Sequence, residues 1–402
     1  MARRKIEVTP SGISVVRDLP TMEEVVNSVP TADYEDALSN IPDIMAHWNK
    51  FKVERGGGAG LDMISGINPG KQFNLKLSKN ASHPSEEVAR THQMAMSLAQ
   101  GATSGVMETC ASCRTPGCTA ICNGSSGKMA INGGKNSAER AKQIRTQYWA
   151  EHTQYAGALA VAQSRQGAAA ARSIGMIPAL RGNMWQDVDW PSTTLADPWI
   201  HAMTEKAGPH RAEGIAQDYP LLTHTNYTKN TFNRNLRPGE SEPDANYPDN
   251  YKITGSISEQ TPVERVRARE GSGGTMHGVV WATPSQDKPS QWTMEDSSGD
   301  RETFPSFNAD NMDAIMHNRA IGNVGVGLLR HKQTAGLQTL KGRANNSSMV
   351  RPLDPDAPVG SPTGIPRAYA SPEIMASKLA ELKTEDGPSM PVRPSRSGAF
   401  RG

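Results

Sequence analysis

Apolar and polar positions along the chain change period several times, and each change predicts an element. Ile13–Val16 reads as a short strand and Tyr34–Trp48 as a helix. Gly56-Gly-Gly-Ala-Gly60 reads as a flexible joint. Gln72–Leu77 alternates polar and apolar residues, the period of a half-buried strand. Pro84–Gln100 is helix-compatible, with Val88, Met94, Met96 and Leu98 as its apolar contacts. A Gly-, Ser- and Thr-rich loop around Cys110–Cys122 follows. Asn136 as N-cap and Glu139 at N3 resemble a capping box. They open a long helix to about Arg172, with Ile144, Tyr148, Tyr155 and Leu159 near helical spacing and Gly167 as a break.

Beyond that helix, apolar segments shorten and alternate with turns. Strands are expected at Met176–Met184, Leu221–Tyr227, Tyr251–Ile257, Met276–Ala282 and Val324–Leu329, and helices at Asp197–Lys206, Pro262–Glu270 and Asn311–Asn318. Such alternation predicts βα units and a parallel sheet, open or closed into a barrel, with chemistry at the carboxyl ends of the strands. Three regions follow: an N-terminal extension over 1–55, an α/β domain over 56–344 and a Pro-rich tail over 345–402. Nine prolines between Pro352 and Pro394 mark the tail as mostly disordered, with one short amphipathic helix at Pro372–Thr384.

Composition narrows the function classes. Among 402 residues, 43 Lys and Arg face 41 Asp and Glu, so the net charge of +2 creates no whole-molecule field for nucleic acid or an acidic membrane. Hydrophobic residues are 36% and the mean hydropathy is −0.57, below what a fully packed chain of this length carries. No apolar run approaches the roughly 20 residues that span a bilayer. The basic N-terminus has no apolar stretch behind it, so a soluble cytoplasmic protein is expected.

All four cysteines, Cys110, Cys113, Cys118 and Cys122, fall within thirteen residues in a C-x2-C-x4-C-x3-C spacing. A disulfide framework would spread its cysteines to tie distant segments together. Crowded thiolates suit one soft metal centre instead, with Pro116 and Gly117 allowing the tight turn. Zinc could use all four sulfurs. The compact run with a single C-x2-C is closer to the packed cysteines of [4Fe–4S] proteins.

Several segments, in order, resemble the Gene 88 protein family of actinobacteriophages, a group without a settled activity. They are the cysteine loop with Cys122-Asn-Gly-Ser-Ser-Gly-Lys128, the basic helix Glu139–Thr146, Arg181-Gly-Asn-Met-Trp-Gln-Asp187-Val-Asp-Trp190, Thr225-Asn-Tyr-Thr-Lys229 and Thr254-Gly-Ser-Ile-Ser-Glu259. Asn226 stands where an Asp is usual. The resemblance covers roughly Phe73 to Ala344. The same succession is similar to a related phage group considered radical S-adenosylmethionine-like. That likeness implies a TIM-type βα barrel, partial or complete, with a cysteine loop after its first strand. The C-x3-C-x2-C triple typical of that chemistry is absent, and no glycine-rich motif for S-adenosylmethionine is evident.

If the strands end near Asn183, Asn226 and Ser256, their polar groups converge on one rim. Asp187, Lys229 and Asn183 then become the catalytic candidates. Arg181, Asn226 and Ser256 become the substrate-binding ones, with Arg181 suited to a carboxylate or phosphate. The bland alternative is a structural ion pair between Asp187 and Arg181. Trp185 and Trp190 either stack on a base or fill space against the helices. Lys135, Arg140, Lys142 and Arg145 either contact phosphates or form a wet helix face. The ten histidines make no i, i+4 ligand pair, and His224 is the one worth testing. No phosphate-cradling G-x-x-x-x-G-K-[ST] and no G-x-S-x-G elbow occurs.

The expectation is therefore a phage metal protein, iron–sulfur before zinc, with radical S-adenosylmethionine-like chemistry on a nucleic acid or nucleotide-related substrate. The alternatives are a non-catalytic zinc-stabilised binding protein in phage replication or host takeover, and a virion-associated protein.

Overall fold

The computed structural model describes residues 3–8, 14–69, 91–110, 138–205, 220–229, 248–257, 261–271, 275–280, 291–295, 299–308, 326–330 and 350–351. The expected strand at Gln72–Leu77, helix at Asn311–Asn318 and tail helix lie outside them, as do Cys113, Cys118, Cys122 and Asn136.

The chain opens with an antiparallel pair, β1 (Arg3–Val8) and β2 (Ser14–Leu19). Helix α1 (Met22–Asn27) follows, started by a capping box in which Thr21 Oγ1 accepts from Glu24 N and Glu24 Oε2 accepts from Thr21 N. The helix expected at Tyr34–Trp48 is two helices, α2 (Thr31–Leu38) and α3 (Ile41–Glu54). Pro42 in the first turn of α3 explains the break, since a proline is tolerated there and would clash one turn into a continuous helix. The glycine run after α3 is a packed turn: Gly57 N donates to Lys52 O at 2.7 Å, and Lys52 Nζ donates to Ala59 O and Leu61 O.

Strand β3 (Ile64–Ser65) precedes β4 (Thr91–Met96). Residues 91–96 were expected to be helical and are a central strand. Met94 and Met96 are two apart, and His92, Met94 and Met96 are buried while Thr91, Gln93 and Ala95 are half-buried. The long helix is likewise two, α4 (Ala138–Glu151) and α5 (Thr153–Ser173), and the break falls at His152, not Gly167. There the His152 ring packs edge-on against His47 and Phe51, in a non-helical backbone with φ −142°. Lys142 and Arg145, expected on a wet face, are buried: Arg145 donates to Asp62 O, Ser97 O and Ser65 Oγ.

The remaining elements are β5 (Ile177–Asn183), a short α6 (Ala196–Trp199) flanked by single turns, β6 (Thr223–Thr228), β7 (Tyr251–Ser256), α7 (Val263–Gly271) and β8 (Thr275–Val280). Then come β9 (Gln291–Glu295), β10 (Arg301–Asn308), β11 (Val326–Arg330) and β12 (Val350–Arg351). The five strands expected after the long helix are all present. The β9–β10 hairpin was not expected, and β12 pairs with β8 inside the segment read as a tail.

The fold is mixed α/β, with one mostly parallel sheet in the order β3-β4-β5-β6-β7-β8-β11-β10-β9. Antiparallel pairs occur only at its two ends, β3–β4 and β10–β9. Strands β4 to β8 follow one another without reversal. Among the described residues no pairing joins β3 to β9. One core cluster packs α1–α6 against β4, β5 and β7, and includes Trp48, Trp149, Trp190 and Trp199. The N-terminal helices thus share a core with the parallel sheet. A second cluster joins α7, β8 and β11 to Trp292 and Phe304 of the β9–β10 hairpin.

Candidate functional site at the carboxyl edge of the sheet

In a parallel α/β sheet, the loops after the strands form the natural place for a site. The loop after β4 is pinned from three sides. Gln186 lies just past β5, and its Oε1 accepts from Leu98 N while its Nε2 donates to Met96 O and Gly182 O. Thr146 Oγ1 of α4 accepts from Ala99 N at 2.8 Å, and Thr109 Oγ1 donates back to Ala99 O at 2.6 Å. Gly101 and Gly105 have φ of 54° and 75°, in the left-handed region where the loop turns.

This loop delivers Cys110 to the exits of β4 and β5. Gly101 N donates to Cys110 Sγ at 3.4 Å, and the sulfur lies 3.9 Å from Trp185 O. Cys110 N donates to Glu108 Oε1 at 3.0 Å. Next to it, Asp187 N donates to Thr109 O, and Asp187 Oδ2 accepts from the backbone N of Lys229 at 3.1 Å. The structure therefore brings Cys110, Asp187 and the start of the Lys229 loop together. Lys142 adds a buried cation nearby, donating to Gln100 Oε1 and paired with Glu139, with its Nζ 5.8 Å from the centre of the Trp185 ring.

The N-terminal helices reach the same edge. Glu108 N donates to Pro20 O and Met22 N donates to Glu108 O. Glu23 Oε1 accepts from Asp189 N at 3.3 Å. Burial pushes the Glu23 carboxyl up to about 7, opposed by its backbone hydrogen bond and aided by the Asp187, Glu24 and Glu108 carboxylates. Nothing in the sequence pattern marked Glu23 or Gln186, because their role depends on which strand ends meet.

The other expected residues divide. Asn183 holds a turn: its Nδ2 donates to Val188 O and its Oδ1 accepts from Val188 N and Trp190 Nε1. Asn226 Oδ1 accepts from Asn183 N at 2.7 Å, across the irregular β5–β6 register. Both amides are buried against the helix layer. Trp190 packs edge-on to Trp199 in the core, so its ring fills space there. His224 is buried beside Trp199, and burial lowers it to about 4 against the opposing hydrogen bond to Trp199 O. Arg181 and Ser256 lie on the opposite face of the sheet. There Arg181 is turned onto the Tyr227 ring, 4.4 Å from its centre, instead of toward the Asp187 carboxylate.

A metal held by Cys110 needs further donors. Among the described residues, no group of three or more His, Cys, Asp or Glu side chains is placed to hold one. The other three cysteines lie outside those residues. One feature around Cys110 fits a ligand thiolate, the Gly101 N–H directed at the sulfur.

No helix of the described residues is long and apolar enough to cross a membrane. A family model described as Gene product 88 matches residues 71–347. No curated protein and no solved structure matches the chain.

Proposed function

Because the chain belongs to the Gene product 88 family, we propose that it is a phage protein whose four clustered cysteines hold an iron–sulfur centre at the carboxyl edge of a parallel sheet. The observation that carries the reading is the seat of Cys110. The first of four thiols in thirteen residues sits at the strand exits, accepts a backbone N–H and adjoins Asp187. Cys110, Cys113, Cys118 and Cys122 would supply the thiolates, and a bound cluster supplies one-electron transfer. This chain's own part is to orient the first sulfur through Gly101 and Thr109, to place a buried ammonium at Lys142, and to keep Asp187 fixed on the Lys229 backbone.

The proposal extends to a βα barrel, because five parallel strands in consecutive order have the winding of one. It extends further to S-adenosylmethionine-dependent chemistry on a nucleotide-related substrate, which requires that three of the four thiolates hold the cluster and leave one iron open, since four would close it. Iron, sulfide and zinc analysis of the full chain, purified without oxygen, tests the centre. Brown protein with iron and sulfide, colourless after Cys110→Ser, supports it. Colourless protein with one zinc replaces it with the zinc-stabilised binding protein. Protein with neither metal overturns both. Adding S-adenosylmethionine to reduced protein tests the enzymatic part, which requires cleavage of the cofactor.

A further inference from the structure

The two faces of the central strands differ in chemistry. Facing α4, α5 and α6 are Met94, Leu180, Ile253 and Tyr251, an apolar layer interrupted by His224. The opposite face, read by alternation along the paired registers, carries Gln93 on β4, Arg181 on β5, Thr225 and Tyr227 on β6, Thr254 and Ser256 on β7 and His277 on β8. Parallel strands covered on both sides normally read as apolar runs. Here Thr225, Tyr227, Thr254, Ser256 and His277 are buried on the second face and still carry polar groups. Burying polar groups costs free energy unless they are satisfied, and Thr225, Tyr227, Thr254 and His277 have partners within the chain.

Two half-buried side chains of this face, Arg181 and Gln93, still have polar atoms to offer. Arg181 has five N–H donors. Its Nε donates to Asn183 O at 3.2 Å and its guanidinium carbon sits 4.4 Å from the centre of the Tyr227 ring. No hydrogen bond to the described residues takes up its two Nη groups, and the side chain is half-buried, so they remain open to a ligand. Tyr227 is itself held edge-on by His277, with ring centres 4.8 Å apart, which fixes the platform beneath Arg181. On the neighbouring strand, Gln93 Nε2 donates to Thr225 Oγ1 at 3.1 Å, reaching over the small Ala179. Its other end, Oε1, is buried with no hydrogen-bond partner among the described residues. Thr225 pairs in register with Arg181, so Gln93 and Arg181 flank the same hydroxyl.

We propose that this face is a binding site for a small oxyanion, a carboxylate or a phosphate, gripped by the Arg181 Nη groups, with a hydrogen-bond donor of the same ligand directed at Gln93 Oε1. A planar guanidinium fork matches either oxyanion with paired hydrogen bonds. Partial burial strengthens that contact relative to one made in water. An acceptor left unsatisfied beside the cation selects a ligand that also donates, such as a monoprotonated phosphate or an amino acid. The site does not depend on a metal at the cysteines, and metal analysis and anion binding are separate readouts.

The test is calorimetric titration of the full chain, at constant ionic strength, with inorganic phosphate, acetate and glycine in turn. Saturable binding of phosphate alone identifies a phosphate site. Glycine binding more tightly than acetate identifies a carboxylate site with Gln93 accepting from the ammonium. Arg181→Met should weaken whichever probe binds by roughly tenfold or more. Gln93→Leu should remove the preference for glycine over acetate, or should weaken phosphate. Unchanged circular dichroism shows that each variant is folded. If none of the three probes binds saturably, or if folded Arg181→Met binds as the parent does, the proposal fails.

Discussion

Gly157→Ala separates helix propensity from packing, because the two predict opposite signs. Gly157 lies inside α5, where alanine is better than glycine by ~1 kcal/mol in an exposed helix. Propensity alone therefore predicts a more stable protein. The structure predicts the reverse. A Cβ at this position would lie 2.3 Å from Tyr34 Cε1 and 2.7 Å from Tyr34 Cδ1. Carbon atoms pack at about 3.5–4.0 Å, so the ring must retreat by roughly 1 Å or more. Tyr34 is fully buried and its Oη donates to Val26 O at 3.0 Å, so a retreat of that size also stretches a buried hydrogen bond. Overpacking costs ~1–3 kcal/mol and the hydrogen bond adds ~1 kcal/mol, against the ~1 kcal/mol of propensity. The net expectation is a loss of about 1–3 kcal/mol, read as a lower urea midpoint at unchanged slope. In a Tyr34→Ala background the ring is gone, and adding Gly157→Ala should then be neutral or stabilising. A single variant as stable as the parent, or more so, would refute the close packing of α2 on α5.

Other consequences are as direct. Gln186→Leu should cost roughly 2–4 kcal/mol in urea unfolding, because it leaves Leu98 N–H, Met96 O and Gly182 O without their partner in a buried setting. His224, lowered from 6.5 to about 4, keeps the folded state neutral while the unfolded chain takes up a proton. Stability should therefore rise with pH between 4 and 6.5 and be lost on acidification, by up to ~3 kcal/mol, and His224→Gln should flatten that slope in pH-dependent unfolding. Glu23 works in the opposite sense. Raised from 4.5 to about 7, it contributes stability that is present below 4.5 and lost as pH rises through 7. Glu23→Gln should therefore gain on the parent at pH 8 and not at pH 4, and equal differences at both would rule out a buried carboxyl there.

The sequence pattern revealed the parallel strands, since β5, β8 and β11 carry short apolar stretches and β6 and β7 carry the Thr, Tyr and Ile that favour strands, each between turn residues. It misread β4, where apolar residues at 94, 96 and 98 were counted toward a helix although their period is two. It merged helices at Pro42 and His152, because a proline in a first turn and an aromatic cluster from a distant helix leave the apolar spacing on either side intact. Alternation alone could not say which face of β5 and β6 meets the helices. Asn183 and Asn226 therefore read as rim groups, although Asn183 spends its amide on a turn and Asn226 Oδ1 is taken by Asn183 N. Cys110 beside Asp187 was legible as a convergence of strand ends. Gln93, Tyr227 and His277 were not, because their pairing runs diagonally across strands far apart in sequence.

The division of the sheet into an apolar and a polar face also explains why the N-terminal helices matter to a region that the family match begins only at residue 71. Trp48 and Phe51 of α3 pack edge-on against Tyr148 of α4, and Tyr34 of α2 packs against Gly157 of α5, so α2 and α3 brace the helices that cover the apolar face. The same segment continues into the edge, where Thr21 bridges to Glu108 and Glu23 accepts from Asp189. Glu108 in turn receives the Cys110 N–H. The position of the first cysteine is thus set from both directions, by the loop after β4 and by the chain entering α1. A perturbation of α1 should be felt at the sulfur before it is felt at the polar face, since among the described residues Arg181 and Gln93 hydrogen-bond to residues of the strands.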